Sequence, residues 1–222
     1  MARIQWKGQK GWKYHIGPIT SKISKTIGIF SRLRYYVPTS TLLTIYRSLV
    51  FRFLSYGILV WSQPAQTYIN QVLALQKRAV RHIYFAPYGS HAIPLFVSSN
   101  TIPVTMLYFK SISIIMHDVF NKLTPCSTSS LFNRSNEIHN YNTIFSSAGN
   151  YHIKHLRCNK KYKSRSRQGT KIWNSIPQEL RKLSKYVFKK NIENQLLQVL
   201  KEEDNYVGIP TLINKFQNVC PK

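Results

Sequence analysis

Residues 40–61 read STLLTIYRSLVFRFLSYGILVW and form the longest apolar run in the chain. Apolar side chains recur there at intervals of three and four residues, which is the spacing of one face of an α-helix. The positions are Leu42, Leu43, Ile45, Tyr46, Leu49, Val50, Phe53 and Leu54. Thr39 or Ser40 can cap the first turn, and Pro64 follows the run. The pattern therefore predicts a central core helix that ends near Trp61.

A run of this length also suggests a membrane span. Arg47 and Arg52 argue against that interpretation, because each would cost about 2.5–3.5 kcal/mol near the centre of a bilayer. We favour a core helix. A helical membrane-associated protein anchored by Ser40–Trp61 is the alternative.

Helical spacing on both sides of this run predicts its packing partners. The apolar positions indicate helices over about 16–33, 67–85, 103–123 and 186–201. The helix over 67–85 is expected to bury one stripe, made of Ile69, Val72, Leu73, Gln76, Val80 and Ile83. Trp173 is expected to be a core anchor.

These elements indicate a mainly α fold. We expect a truncated segment over 1–15 and a helical bundle over 16–125. A basic, loop-rich linker rich in Ser and Asn follows over 126–170. A Trp-containing turn and a C-terminal helix over 171–201 come next, and 202–222 form a tail.

Charge is the strongest compositional signal. The 222 residues include 32 Lys and Arg against 7 Asp and Glu, a net charge of +25. Such an excess favours an anionic partner, because the folded chain otherwise repels itself. Nucleic acid is the first candidate and an anionic membrane surface the second.

The few acidic residues argue against metal-dependent phosphoryl transfer. No Asp or Glu occurs before Asp118, and only the last three acids, Glu202, Glu203 and Asp204, are close in sequence. A polymerase or nuclease centre needs clustered carboxylates to hold Mg²⁺. We therefore expect no catalytic residues in this chain and no activity from the chain alone.

Two groups of cations are candidate nucleic-acid contacts. Lys77, Arg78 and Arg81 lie on the predicted exposed side of the third helix, for which a solvated helix face is the alternative. A longer basic run contains no acid and is interleaved with Tyr162. It comprises Lys154, Arg157, Lys160, Lys161, Lys163, Arg165, Arg167 and Lys171. A disordered basic linker is the alternative for this run.

Cysteine and histidine usage predicts neither a disulfide framework nor a cofactor. The three cysteines are scattered, which suits a reducing, cytoplasmic or nuclear compartment. His152, His155 and Cys158 have a spacing that could supply zinc ligands. Lys154 and Arg157 would oppose a cation there, so we expect no metal.

Six short motifs, in this order, carry a family resemblance. They are Trp12-Lys13-Tyr14-His15-Ile16, Lys22-Ile23-Ser24-Lys25-Thr26-Ile27-Gly28, Leu42-Leu43-Thr44-Ile45-Tyr46-Arg47-Ser48-Leu49, Leu75-Gln76-Lys77-Arg78-Ala79-Val80-Arg81, Ile138-His139-Asn140-Tyr141-Asn142-Thr143 and Gly169-Thr170-Lys171-Ile172-Trp173-Asn174-Ser175-Ile176-Pro177. Together they resemble the C-terminal part of the reverse transcriptase of non-LTR (LINE-type, jockey-like) retrotransposons.

The resemblance covers about residues 12–200 and implies the thumb and connector of an RNA-directed DNA polymerase. The family's paired catalytic aspartates lie upstream of the matched region, and no such pair occurs here. Mg²⁺ would therefore belong only to the full-length family enzyme. The implied partners are RNA, DNA or an RNA–DNA hybrid, together with the missing fingers and palm, and no membrane is expected.

Overall fold

The computed structural model describes residues 8–61, 66–138, 149–154, 164–202 and 209–218. Over these residues the protein is mainly α-helical, which confirms the predicted fold class. Their β pairing is limited to one isolated antiparallel bridge between Arg134 and Tyr151. None of the described helices has the length and apolarity needed to cross a membrane.

The chain folds into two compact units. One comprises Met1–Tyr108 with Leu200–Tyr206, and the other comprises Phe109–Val199 with Val207–Lys222. The first helices are α1 (Gly8–Leu33), α2 (Thr39–Ile45), a π-helix (Tyr46–Phe51), α3 (Arg52–Ser55), α4 (Ile58–Trp61), α5 (Gln66–Ile83), α6 (Ile93–Ser98) and α7 (Val104–Phe120). The later helices are α8 (Cys126–Ser129), α9 (Ser135–Ile138), α10 (Arg165–Ser175), α11 (Gln178–Arg181), α12 (Lys185–Glu202) and α13 (Ile209–Asn218).

The prediction of one continuous helix over 40–61 is wrong. The stretch is divided into α2, the π-helix, α3 and α4, and Gly57 separates α3 from α4 at a φ of +66°. Glycine adopts this left-handed conformation without steric cost, so the chain turns there. Leu49, expected on the apolar face, is 39% exposed.

The π-helix explains which side chains the stretch buries. Every fourth residue is buried, namely Leu42, Tyr46, Val50, Leu54 and Ile58. Four residues overshoot one α-helical turn by about 40°, so an apolar stripe with this spacing would wind away from the core. The wider turn of a π-helix corrects part of that drift and keeps the stripe facing inward.

The core of the first unit forms where α1 packs against α5. α1 buries Ile16, Ile19, Ile23, Ile27 and Phe30. All six predicted residues of the α5 stripe are buried, which confirms that prediction, polar Gln76 included.

Gln76 links three separate segments of the first unit. Its Nε2 donates to the Tyr46 hydroxyl at 2.9 Å and to the Ile102 carbonyl at 3.1 Å, and its Oε1 accepts from the Val104 amide at 2.8 Å. Val104 begins α7, and the first amides of a helix have no partner within the helix. Burial, partly opposed by the Gln76 hydrogen bond, raises the pKa of Tyr46, so its hydroxyl stays protonated.

Three helices end on a residue other than glycine in the left-handed conformation. Phe85, Asn100 and Lys122 follow α5, α6 and α7 with φ values of 55°, 50° and 57°. In each case the next residue donates its amide back across the turn, as Ala86 does to the Arg81 carbonyl at 3.0 Å. Glycine is the usual residue at this position.

Trp173 anchors the core of the second unit, as predicted. Its side chain is fully buried against the rings of Phe120, Tyr151 and Phe188, with centroids 5.2, 6.5 and 6.3 Å away. Arg181 lies over the same indole and donates from Nε to the Ile176 carbonyl at 2.8 Å. Burial lowers the pKa of Arg181 to about 10, so the side chain remains charged at neutral pH.

Two parts of the second unit differ from the sequence expectations. α10 begins at Arg165, inside the segment expected to be loop-rich, and α8 and α9 also fall there. α13 lies within the expected tail, and its Phe216 packs on Phe109 with centroids 4.7 Å apart. Residues 139–148 and 155–163 of the expected linker lie outside the described residues.

Candidate nucleic-acid interface

The three cations predicted on α5 lie in different environments. Arg78 is exposed, whereas Lys77 and Arg81 are half-buried. Arg81 donates from Nε and Nη2 to the Ser90 carbonyl at 2.9 and 2.7 Å, which fixes the loop after α5. Burial first, and the charge of Arg81 second, lower the pKa of Lys77. Arg78 is thus the most accessible phosphate contact of the three.

Sequence reasoning missed an aromatic and cationic surface beside these residues. The Arg34 guanidinium lies 4.8 Å from the ring centroid of Tyr35 and 4.7 Å from that of Phe85, and its Nη2 donates to the Tyr35 hydroxyl at 2.9 Å. The two rings meet edge to face with centroids 5.9 Å apart. We call Arg34, Tyr35 and Phe85 the stacking surface. The adjacent tyrosines at 35 and 36, flanked by Arg34, were the available signal.

His82 belongs to the same region of the first unit. Burial, followed by the charges of Arg34 and then Arg78, lowers its pKa. The imidazole is therefore neutral at pH 7. A phosphate placed near these two guanidinium groups would reverse the electrostatic part of that shift.

In the second unit, the basic run contributes to a cavity of about 180 Å³. Lys154 and Arg167 line it together with His152, Ser164 and Ser166. The volume is several times the roughly 30 Å³ that one water molecule takes in the liquid, so a tetrahedral oxyanion fits. Two cations and two hydroxyl groups are suited to binding its oxygens.

The start of α10 adds backbone donors beside the cavity. Ser164 directly precedes the helix in an extended conformation, and its side chain makes no capping hydrogen bond to the backbone. The first amides of a helix lack carbonyl partners within it, and the helix dipole is positive at that end. Both features favour an anion near Ser164 and Ser166.

The remaining predicted contacts are only partly described. Arg165 is exposed at the first turn of α10, and Lys171 is half-buried two turns later. Arg157, Lys160, Lys161 and Lys163 lie outside the described residues. The structure thus brings Lys154 and Arg167 to one cavity, while Lys77, Arg78 and Arg81 lie on α5.

Of the suggested zinc ligands, His155 and Cys158 lie outside the described residues. Elsewhere in the described part of the chain, no group of three His, Cys, Asp or Glu side chains could hold a metal ion. His152 lines the cavity instead, a role that its spacing did not suggest.

Among the described residues, Glu193 and Asp118 each form an ion pair with a lysine of the second unit. Glu193 lies 2.8 Å from Lys110, whose side chain is only 8% exposed, and Asp118 lies 2.8 Å from the more exposed Lys185. The neighbouring His117 faces elsewhere, with Nε2 2.9 Å from the Leu183 carbonyl and its ring stacked on Phe188. His117 and Asp118 therefore form no catalytic dyad.

Comparisons of the chain with protein-family models, curated proteins and solved structures find no match. The resemblance to non-LTR reverse transcriptases consequently remains a hypothesis that rests on the six sequence motifs. Each candidate contact region is defined by its own geometry. The cations of α5 and the stacking surface belong to the first unit, and the cavity beside α10 belongs to the second.

Proposed function

We propose that this chain is a nucleic-acid-binding fragment of a non-LTR retrotransposon reverse transcriptase. It would grip the template–primer duplex through phosphates, as a thumb does, and contribute no catalytic carboxylates. RNA, DNA or an RNA–DNA hybrid would be the ligand, in the cytoplasm or nucleus.

The excess of cations is the observation that carries the proposal. If each of the 7 acids neutralised one of the 32 Lys and Arg side chains, 25 positive charges would remain. Asp118 and Glu193 already pair with Lys185 and Lys110. A polyanion releases condensed counterions when such cations bind it, which makes binding favourable without any reading of bases.

The cavity beside α10 supports phosphate binding in particular. Lys154 and Arg167 supply charge within a space that an oxyanion fits. The hydroxyl groups of Ser164 and Ser166 are hydrogen-bonded to each other at 3.3 Å, which leaves one hydroxyl proton of the pair for a phosphate oxygen. These groups bind phosphate oxygens and carry no base information. The mechanism therefore predicts strong salt dependence and weak sequence preference.

The test is the salt dependence of binding to a blunt RNA–DNA hybrid. Each phosphate contact contributes about 0.7–0.9 to the slope of log K against log salt. Replacing Lys154 and Arg167 together by Gln should flatten the slope by about 1.5 units if both contact phosphates. Exposed Lys189 and Lys190 on α12, replaced together by Gln, provide a control with the same change in net charge.

Two results would contradict the proposal. One is an affinity for the hybrid that does not change with salt. The other is an equal effect of the cavity pair and the control pair, which would assign binding to net charge alone. Binding to anionic lipid vesicles without binding to the hybrid would favour the membrane-associated alternative.

A further inference from the structure

Phe85 occupies a backbone position that a phenylalanine rarely takes. Its φ is 55°, in the left-handed region, two residues after the last residue of α5. A bulky residue there is a conformational outlier, whereas glycine is accommodated without strain. Such positions persist only where the surrounding structure enforces them, here through the turn that the Ala86 amide closes, and they are more frequent at functional sites. The Phe85 ring is also 49% exposed, so burial in the core does not explain it.

The surroundings of Phe85 carry further energetic costs. Arg34 Nε and His82 Nδ1 are covered from solvent and make no hydrogen bond. A buried polar atom without a partner is destabilising, because it has lost its hydrogen bonds to water. The positive charges of Arg34 and Arg78 also disfavour the protonated form of His82. The acid nearest to His82 in the sequence is Asp118. Violations of folding preferences that cluster in one place are typical of functional sites.

The chemistry of this region selects its ligand. Tyr35 is 69% exposed and Phe85 half-exposed, so two aromatic rings reach solvent with a guanidinium beside both. A planar ring binds there by stacking, and Arg34 and Arg78 attract negative charge. An unpaired nucleotide offers both features, a flat base and an adjacent phosphate. A paired nucleotide offers its phosphates, but its base faces are covered by neighbouring bases.

We propose that Arg34, Tyr35 and Phe85 form a stacking site for an unpaired base at the single-stranded end of a bound nucleic acid. The proposal rests on the nucleic-acid binding proposed above and adds a preference for a junction between duplex and single strand. Arg34 and Arg78 contact the phosphates that flank the base. Recognition is independent of base identity, since every base has a face that can stack.

The experiment compares three ligands built on the same hybrid duplex. One is blunt, one carries an overhang of fluorescent 2-aminopurine nucleotides, and one carries an abasic overhang with the same number of phosphates. We expect the base-bearing overhang to bind about fivefold more tightly than the abasic overhang, near the lower limit for one stacked base. Its fluorescence should be quenched on binding.

Two variants separate the effect of the stacking surface from effects on folding and on net charge. Phe85→Gly removes the ring and suits the left-handed backbone, so the fold is retained and the preference for the base is lost. Arg34→Lys keeps the charge but loses the planar guanidinium, so the preference falls while the salt slope on the blunt duplex stays the same. Tyr186→Ala, which removes an exposed tyrosine of the second unit, is the control and should change nothing.

The outcomes separate this site from the general binding function. Equal affinity for base-bearing and abasic overhangs would overturn the stacking site even if the blunt duplex binds with a steep salt slope. A preference that survives Phe85→Gly would do the same. If the unmodified protein does not bind the blunt duplex at all, the proposed function is contradicted instead. Binding of an acidic, tyrosine-rich peptide that depends on Phe85, without any overhang preference, would assign the surface to a protein partner and refute the proposal.

Discussion

Replacing Gln76 with leucine should destabilise the first unit strongly. The substitution replaces the carboxamide by an apolar side chain of similar size, and it leaves the Ile102 carbonyl, the Val104 amide and the Tyr46 hydroxyl without this partner. Each buried polar group that loses its partner costs about 1–3 kcal/mol. The added apolar contact offsets part of this loss, so we expect the free energy of unfolding to fall by about 3–5 kcal/mol.

Two further variants calibrate that value. Tyr46→Phe removes one hydroxyl and leaves the Gln76 amide bonded to Ile102, so it should cost about 1 kcal/mol. Gln71→Leu makes the same substitution at an exposed position of α5 and should stay within about 0.5 kcal/mol of the parent. In the double variant of Tyr46 and Gln76 the two losses should not add, because both remove the same hydrogen bond.

Urea unfolding followed by far-ultraviolet circular dichroism measures these differences. Peptide-level hydrogen exchange over 66–83 assigns the loss to α5, which is needed because the chain forms two units. If Gln76→Leu costs no more than Gln71→Leu, the three hydrogen bonds do not stabilise the fold and the reasoning is refuted.

Glu193→Gln should lower the free energy of unfolding by about 2–4 kcal/mol, because it leaves buried Lys110 without its carboxylate. Asp118→Asn, at the more exposed pair, should lower it by less than about 1 kcal/mol. Equal losses in urea unfolding would contradict the burial argument. Gly169→Ala should lower Tm despite better helix propensity, since its Cβ would lie 3.0 Å from a methionine sulfur, and a raised Tm would show that the sulfur moves aside. Affinity for the hybrid should rise as pH falls from 8 to about 6. Burial and nearby charges lower the pKa of His82 in the free protein, and bound phosphates raise it, so binding takes up a proton. His82→Gln should remove this pH dependence.

The period of the apolar residues predicted most of the helices but not their interruptions. The α5 stripe was predicted in full, because a single amphipathic helix reports its own buried face. In residues 40–61 the apolar side chains are spaced both three and four apart, which is the pattern of an ordinary α-helix. The residues that are buried are instead spaced four apart throughout, and the pattern does not single them out. Gly57 was a visible sign of the break, but its left-handed φ depends on the packing on either side.

The spacing of residue types along the sequence does not identify hydrogen-bond partners that are distant in the sequence. The predicted stripe placed Gln76 inside, yet its partners Tyr46 and Val104 lie 30 and 28 residues away. The helix pattern predicts Arg81 as a phosphate contact from its charge, and its hydrogen bonds to the Ser90 carbonyl in the following loop depend on the tertiary fold. Helix α13 had a local signal in Leu212 and Phe216 that the acidic residues before it obscured.

The distribution of charge couples the stability of this protein to its binding. No acid lies on α1 or α5, so salt or a polyanion relieves part of the mutual repulsion among their cations. Added salt should therefore stabilise the free protein while weakening its complex with nucleic acid, because it screens repulsion in one and attraction in the other. The stabilisation that a nucleic acid confers is accordingly largest at low salt, where the free protein is weakest and the affinity highest. The effect of salt thus has opposite signs on the stability of the free protein and on its affinity for nucleic acid. This difference distinguishes phosphate binding from a general stabilisation by ions, which would not weaken the complex.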